Sequence, residues 1–266
     1  MTTIRDISEF MERTAPLALA ESWDNVGLLL GDPNRTVSRI ITCLTVTPET
    51  VEEAVREEAE LIIPHHPCPF QGVKQITTAS PLGRILLQLL EAKVAVYSAH
   101  TAFDSASEGI NQRIAEGIGL SMIQPLIPQV DLPEGAPVVG VGRVGMLTHS
   151  TPFGDFAQAV KGFFGVDVMQ IAGASDSPVL TVAVACGAAG ELIDAAKRES
   201  CDAMILGETK MHTCLDAIAD GLCLCLPGHF ASERFAMDEL ADVLSREFPE
   251  LFIWASQEED DPLEWL

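Results

Sequence analysis

The residues best suited to chemistry are histidines and acids at the ends of apolar runs. Four of the six histidines follow such runs: His65 and His66 in LIIPHHPCPF, His100 after VAVYSA, and His229 after LCLCLPG. α/β sheets tend to build their sites just beyond the carboxyl ends of strands. Adjacent side chains in extended backbone point to opposite sides, so His65 and His66 are expected to serve two different ions rather than one, stiffened by Pro64 and Pro67. His229 and Glu233 are four residues apart, and in a helix that spacing puts both on one face, where imidazole and carboxylate can converge on one ion. Asp104 follows His100 by the same interval. Each feature also has an ordinary reading: hydrogen-bonded loop histidines, a solvent-facing Glu233, and Asp104 as the N-cap of a helix over Gly109–Gly117.

His65, His66, Asp104, His229 and Glu233 together make three imidazoles and two carboxylates, about right for two divalent ions sharing a carboxylate and a water. A nitrogen and oxygen donor set suits Zn, Fe, Mn, Co or Ni without choosing among them. Two such ions polarise an oxygen and generate hydroxide near neutral pH, which is hydrolytic chemistry. Glu233 and His100 are the candidate catalytic groups, with His100 orienting Asp104 or shuttling protons. Glu208 and His212 are candidates for a pocket wall, and Cys68 for an oxidisable neighbour outside the ligand set.

Strands and helices must position these groups. Ile4, Ile7, Phe10 and Met11 share one face of a first helix, and ESWDNVGLLLGDP reads as a loop. Arg39–Val46 is a buried strand, and Thr47-Pro48 starts a helix to about Glu60, with Val51, Ala54, Val55 and Ala59 inward and its glutamates outward. Strands at Leu61–Pro64 and Val94–Ser98 flank a helix capped by Ser80. Four prolines between residues 121 and 137 (Pro125, Pro128, Pro133, Pro137) mark an irregular connection. Beyond it come a strand at Val138–Leu147, a helix from Thr151 to about Phe164, a strand at Val179–Ala185 and a helix from Gly187–Gly190 to about Ser200. Strands at Ala203–Leu206, Leu222–Leu226 and Phe252–Ala255 follow, then an acidic tail expected to be partly mobile. Ala92–Asp104 aligns without gaps on Gly221–Glu233: apolar strand, two small or turn residues, His, three residues, acid. The expectation is an α/β protein of two intertwined, repeat-related halves with mixed sheets, 1–125 and 126–266.

The chain has 266 residues, 39 acidic and 16 basic, for a net charge of −23, and 47% are hydrophobic. That is a globular composition. Its charge repels phosphate backbones and anionic membrane surfaces, which argues against nucleic acid and membrane partners. The N-terminus has no apolar signal segment, and the seven cysteines include no CxxC pair, so a reduced, cytoplasmic protein is expected. P-loop, GxSxG and HExxH motifs are absent. Gly140, Gly142 and Gly145 have GxGxxG spacing inside a strand-like segment, a poor context for a dinucleotide loop, and His149 reads as a turn residue.

ESWDNVGLLLGDP, LIIPHHPCPF, YSAHTAFDSASEGIN, ILGETKMH and PGHFASERFA occur in this order across nearly the whole chain. With them the chain resembles the Nif-three-like dinuclear metal-centre family, also called type 2 GTP cyclohydrolase I. The resemblance implies metal residues at His65, His66, Asp104, His229 and Glu233, a toroidal homohexamer built as a trimer of dimers, and the short form of the family without an inserted domain. Ala102-Phe103 before Asp104, and Cys68-Pro69 after the paired histidines, depart from the family pattern and alter the pocket rim. The activities in view are a metal-dependent hydrolase, opening the purine ring of GTP or acting on another nucleotide or phosphoester, and a non-enzymatic metallochaperone or partner-binding scaffold.

Overall fold

A computed structural model describes residues 1–129 and 138–264; Pro133 and Pro137 of the irregular connection lie outside the described residues. In chain order the elements are α1 (Ile4–Thr14), β1 (Gly27–Leu30), β2 (Arg39–Cys43), α2 (Pro48–Arg56), β3 (Leu61–Pro64), α3 (Pro81–Ala92), β4 (Ala95–Ser98) and α4 (His100–Ser105). Next come α5 (Ile110–Gly117), β5 (Ser121–Gln124), β6 (Ile127–Pro128), β7 (Gly140–Val141), β8 (Arg143–Pro152), α6 (Phe153–Phe164), β9 (Gln170–Ala172) and β10 (Pro178–Ala185). The chain ends with α7 (Ile193–Arg198), β11 (Ala203–Leu206), α8 (Met211–Ala219), β12 (Cys223–Leu226), α9 (His229–Glu247) and β13 (Phe252–Ala255).

The chain forms two units. Met1–Phe103 with Ala236–Pro262 makes the first, and Asp104–Phe235 lies in the second. The first holds a five-stranded sheet, β1-β4-β3-β2-β13, in which β13, β2, β3 and β4 are parallel and β1 is antiparallel to β4. Helices start where their caps dictate. Thr47 accepts from Thr50 with Pro48 in the first turn of α2, and Ser80 accepts from Gly83 at α3. Ile41, Ile62 and Val96 from the three parallel strands pack with Val51 and Ala54 of α2 and Leu86 and Leu89 of α3 into one buried cluster.

The second unit has a six-stranded sheet, β5-β8-β10-β11-β12-β9, with β10, β11 and β12 parallel and β9 antiparallel to β12. Three neighbouring parallel strands, with an antiparallel strand beside the last, thus recur in both units. The aligned segments occupy matching places: His100 opens α4 after β4, and His229 opens α9 after β12. This is a mixed α/β fold.

Several local expectations change. GLLL in the expected loop is strand β1, paired with β4 through a bulge. β8 continues through His149 to Pro152, so α6 begins at Phe153 rather than Thr151, and His149 is a strand residue. Glu53 on α2 is buried, not outward. Its carboxylate accepts from Trp254 Nε1 at 3.0 Å, Ser256 Oγ at 2.5 Å and the Gln257 amide at 3.1 Å, a tertiary demand that helix periodicity cannot reveal. Val55, expected inward, is 39% exposed. The acidic tail is anchored: Glu258 pairs with Arg56 at 3.1 Å, and Glu259 accepts from the Leu44 and Thr45 amides.

Candidate metal centre

In the first unit, β2 and β3 deliver the paired histidines. The His65 amide donates to the Cys43 carbonyl (2.9 Å) and the next amide, His66, to Leu44 (2.8 Å). In an extended strand successive amides face opposite sides; here both face the same neighbour because the chain bends at His65 and His66. The extended backbone on which the expectation of opposite-facing side chains rests is therefore interrupted at this pair. Their rings lie 5.2 Å apart, and His65 and His66 sit 5.1 and 5.7 Å from the His100 ring. One ligand nitrogen from each of the three lies within 4.8 Å of the others.

The cluster is oriented from behind. Thr45 Oγ1 lies 2.8 Å from His66 Nδ1. Asp24 Oδ1 lies 2.8 Å from His100 Nδ1. Ser98 Oγ donates to the His65 carbonyl at 2.6 Å. Partners of this kind on the second ring nitrogen fix tautomer and ring angle in histidine metal ligands. Burial works to raise the Asp24 pKa, but hydrogen bonds from His100 and Thr101 outweigh it and hold the carboxyl below its ordinary value. His100 carries a left-handed φ of 37°, a strained conformation for a non-glycine residue and one held by its surroundings. Cys68 is buried, and burial pushes its thiol up to about 11, so it is a poor candidate for oxidation.

The second unit holds the acids. Asp104 lies within α4, so it does not cap the next helix, whose N-cap is Gly109. Cys186, just past β10, donates its thiol to Asp104 Oδ1 at 3.2 Å, and its amide donates to Asn111 Oδ1 at 2.7 Å. Burial foremost, then the charges of Asp104 and Glu233, raise the Cys186 thiol far above its usual value. His229 is held at both nitrogens: Nε2 lies 3.1 Å from Glu233 Oε2, and Nδ1 lies 3.0 Å from Glu208 Oε1. The hydrogen bond to Glu233 is the main reason its pKa rises to about 9, against the opposing effect of burial.

Glu233 is 3% exposed and fits its place because Gly187 has no side chain. A Cβ there would stand 2.3 Å from Glu233 Oε1, and the residue's φ of +65° disfavours any other residue. Ser232, between the pair, accepts from the Gly187 amide at 3.0 Å and donates to the His229 carbonyl at 2.8 Å. Glu208 also lines a cavity of about 520 Å³ with Thr209 and Lys210, while His212 is exposed on α8.

The glycines of the GxGxxG spacing serve a cation. Arg143 is buried and donates to the carbonyls of Gly140 (2.9 Å), Gly142 (2.7 Å), Ser105 (3.3 Å) and Ala106, and to Gln112 Oε1 (2.7 Å). A phosphate loop needs amides pointed inward; carbonyls pointed inward make the opposite site. Burial lowers the Arg143 pKa to about 10.

The donor chemistry of each set fits a divalent ion: three imidazoles in the first unit, and an imidazole with carboxylates in the second. Asp24, Thr45 and Cys186 were invisible as site residues. Asp24 lay in a motif whose only apparent content was turn-forming, and Cys186 in an apolar run. The Duf34/NIF3 (NGG1p interacting factor 3) family model matches residues 2–262. The chain belongs to the Duf34/NIF3 family. Among Duf34/NIF3 relatives, a GTP cyclohydrolase 1 type 2 homolog of Clostridium perfringens (strain 13 / Type A) is 31% identical, covering 99% of each chain. A protein NIF3 homolog of Schizosaccharomyces pombe is 32% identical over 86% of this chain and 84% of its own. The crystal structure of a Bacillus cereus protein related to NIF3 superposes with a TM-score of 0.89 at 23% identity over 99% of each chain, which shows the shared Duf34/NIF3 fold. No helix among the described residues is long and apolar enough to cross a membrane.

Proposed function

We propose that this Duf34/NIF3 protein is a metal-dependent hydrolase whose centre holds two divalent ions of the Zn, Fe, Mn, Co or Ni class. The ligands are His65, His66, Asp104, His229 and Glu233. The observation that carries the reading is the His65–His66 pair, with rings 5.2 Å apart and Thr45 behind His66 Nδ1 in the manner of a histidine metal ligand. When bound, the ions supply Lewis acidity and a nucleophilic water near neutral pH. The chain's own groups do the rest. Glu233, buried against Gly187, is placed to take and return a proton. His100, with Asp24 behind Nδ1, relays it. The names of the curated relatives favour a GTP cyclohydrolase-type reaction, opening the purine ring. The proposal includes a homohexamer, on the family resemblance, and a cytoplasmic location, on the cysteine usage.

The test is elemental analysis of the purified protein, followed by GTP turnover by metal-loaded wild type and Glu233→Gln. Two equivalents of metal, with turnover lost in the variant, support the proposal. Equal turnover by both proteins rejects this centre as its source. Exchangeable metal with no turnover on a nucleotide panel instead supports a metal-handling protein.

A further inference from the structure

Two large aromatic side chains stand exposed beside the histidine cluster. Trp23 is 59% exposed and Phe70 46%. Their rings are stacked, with centroids 6.0 Å apart and planes 29° from parallel. Both rings also meet His100 steeply, Trp23 at 6.0 Å and 76° and Phe70 at 5.7 Å and 70°. Burying such side chains is worth far more than leaving them in water, so exposed aromatics side by side mark a surface with a use.

These aromatics are built into place. Trp23 precedes Asp24, whose carboxylate accepts from the Thr101 amide at 3.1 Å and sits against His100 Nδ1. Asn25 Nδ2 donates to the carbonyl of Pro69 at 2.8 Å, tying the turn that bears Trp23 to the residue before Phe70. One three-residue segment, Trp23-Asp24-Asn25, therefore supplies an aromatic face, orients a histidine of the cluster and fixes the second aromatic.

We infer that Trp23 and Phe70 form a stacking platform that binds a planar heteroaromatic ring, of the nucleobase class, beside His100. A ring inserted between them would need centroids roughly 9 Å apart, twice the shortest stacked spacing. At 6.0 Å the two are already in contact, so the ligand lies on the outer face of the pair. Recognition through the base also suits a chain of net charge −23, which gains little from seeking a polyphosphate. The inference rests on the hydrolase reading for the identity of the reacting centre, and it adds the feature that selects the substrate.

Isothermal titration of the full-length, metal-loaded protein with guanosine tests it, with ribose 5-phosphate as the base-free probe. Base–aromatic stacking lost to alanine is worth about 10-fold in affinity, near the lower end of its range. That loss is expected for Trp23→Ala, with about 5-fold for Phe70→Ala and recovery of most affinity in Trp23→Phe. Bound metal, by elemental analysis, stays at the wild-type level in all three. Should Trp23→Ala fail to fold, Trp23→Leu keeps apolar bulk without an aromatic face and shows the same loss. Four results overturn the platform: guanosine bound equally by wild type and Trp23→Ala or Trp23→Leu, no guanosine binding by wild type, ribose 5-phosphate bound as tightly as guanosine, or metal lost from both alanine variants. Stacking-dependent guanosine binding without turnover sinks the hydrolase reading and leaves the platform. Turnover with stacking-independent binding does the reverse.

Discussion

The two units carry the same strand pattern but opposite chemistry at their strand ends. The first presents three imidazoles, two of them braced through Nδ1, by Thr45 and by Asp24. The second presents an imidazole between two carboxylates, with a buried thiol bonded to a third. The first set brings three ring nitrogens together, whereas the second holds His229 between carboxylates that raise its pKa to about 9. A repeated backbone therefore need not repeat a site. An ion bound in the first unit would meet imidazoles alone. The second ties occupancy to proton release.

Substitutions can break that contrast from either side. The largest effect is expected from Arg143→Met, which leaves the carbonyls of Gly140, Gly142, Ser105 and Ala106 without their shared donor. We expect a loss of about 3 kcal/mol or more by urea denaturation, because each buried unsatisfied acceptor is costly. Gly187→Ala should cost about 1–3 kcal/mol through its backbone strain alone. It should also lower retained metal by displacing Glu233, and metal retention at the wild-type level would show that Glu233 is not a ligand. Asp24→Ala, which removes the partner behind the relay histidine His100, should lower GTP turnover about 100-fold with bound metal unchanged. Turnover beside elemental analysis would read this, and unchanged turnover would remove His100 from the proton relay.

pH sharpens the contrast in turn. In the metal-free protein the His229 pKa is raised from 6.5 to about 9, led by the Glu233 hydrogen bond. Its contribution to stability is therefore complete below pH 6.5 and disappears as pH climbs through about 9. Asp24 acts at the other end: burial opposes ionisation, but hydrogen bonds from His100 and Thr101 prevail and lower its pKa. Its contribution is present above 3.8, the ordinary value, and is lost as pH falls through the folded one. A His229 NMR titration midpoint near 6.5 in apo protein would contradict the charged-imidazole description.

Much of this was legible before any coordinates. Leu61–Pro64, Ala203–Leu206 and Phe252–Ala255 are strands with the bounds expected from their apolar runs. Thr47 and Ser80 cap helices because short-range chemistry alone decides a cap. The histidines and acids stood out because their chemistry travels with residue type. What stayed hidden depends on partners distant in sequence. Glu53 looks like any surface glutamate until Trp254 and Ser256 arrive to donate to it. Asp24 and His100 are separated by 76 residues. The bend that lets His65 and His66 cooperate follows from two consecutive amides pairing with the end of β2, which local pattern does not encode.

The anchoring of Glu259 on the amides of Leu44 and Thr45 has a consequence for how the protein is made. The Leu44 contact spans 215 positions, and β13 completes the sheet edge beside β2, which is made long before it. Ribosomes add about 5–20 residues per second, so that edge waits on the order of 10–40 s for its partner after it emerges. Thr45, which steadies His66, belongs to the waiting segment. The support of His66 by Thr45 is therefore completed only once the Glu259 segment has been made.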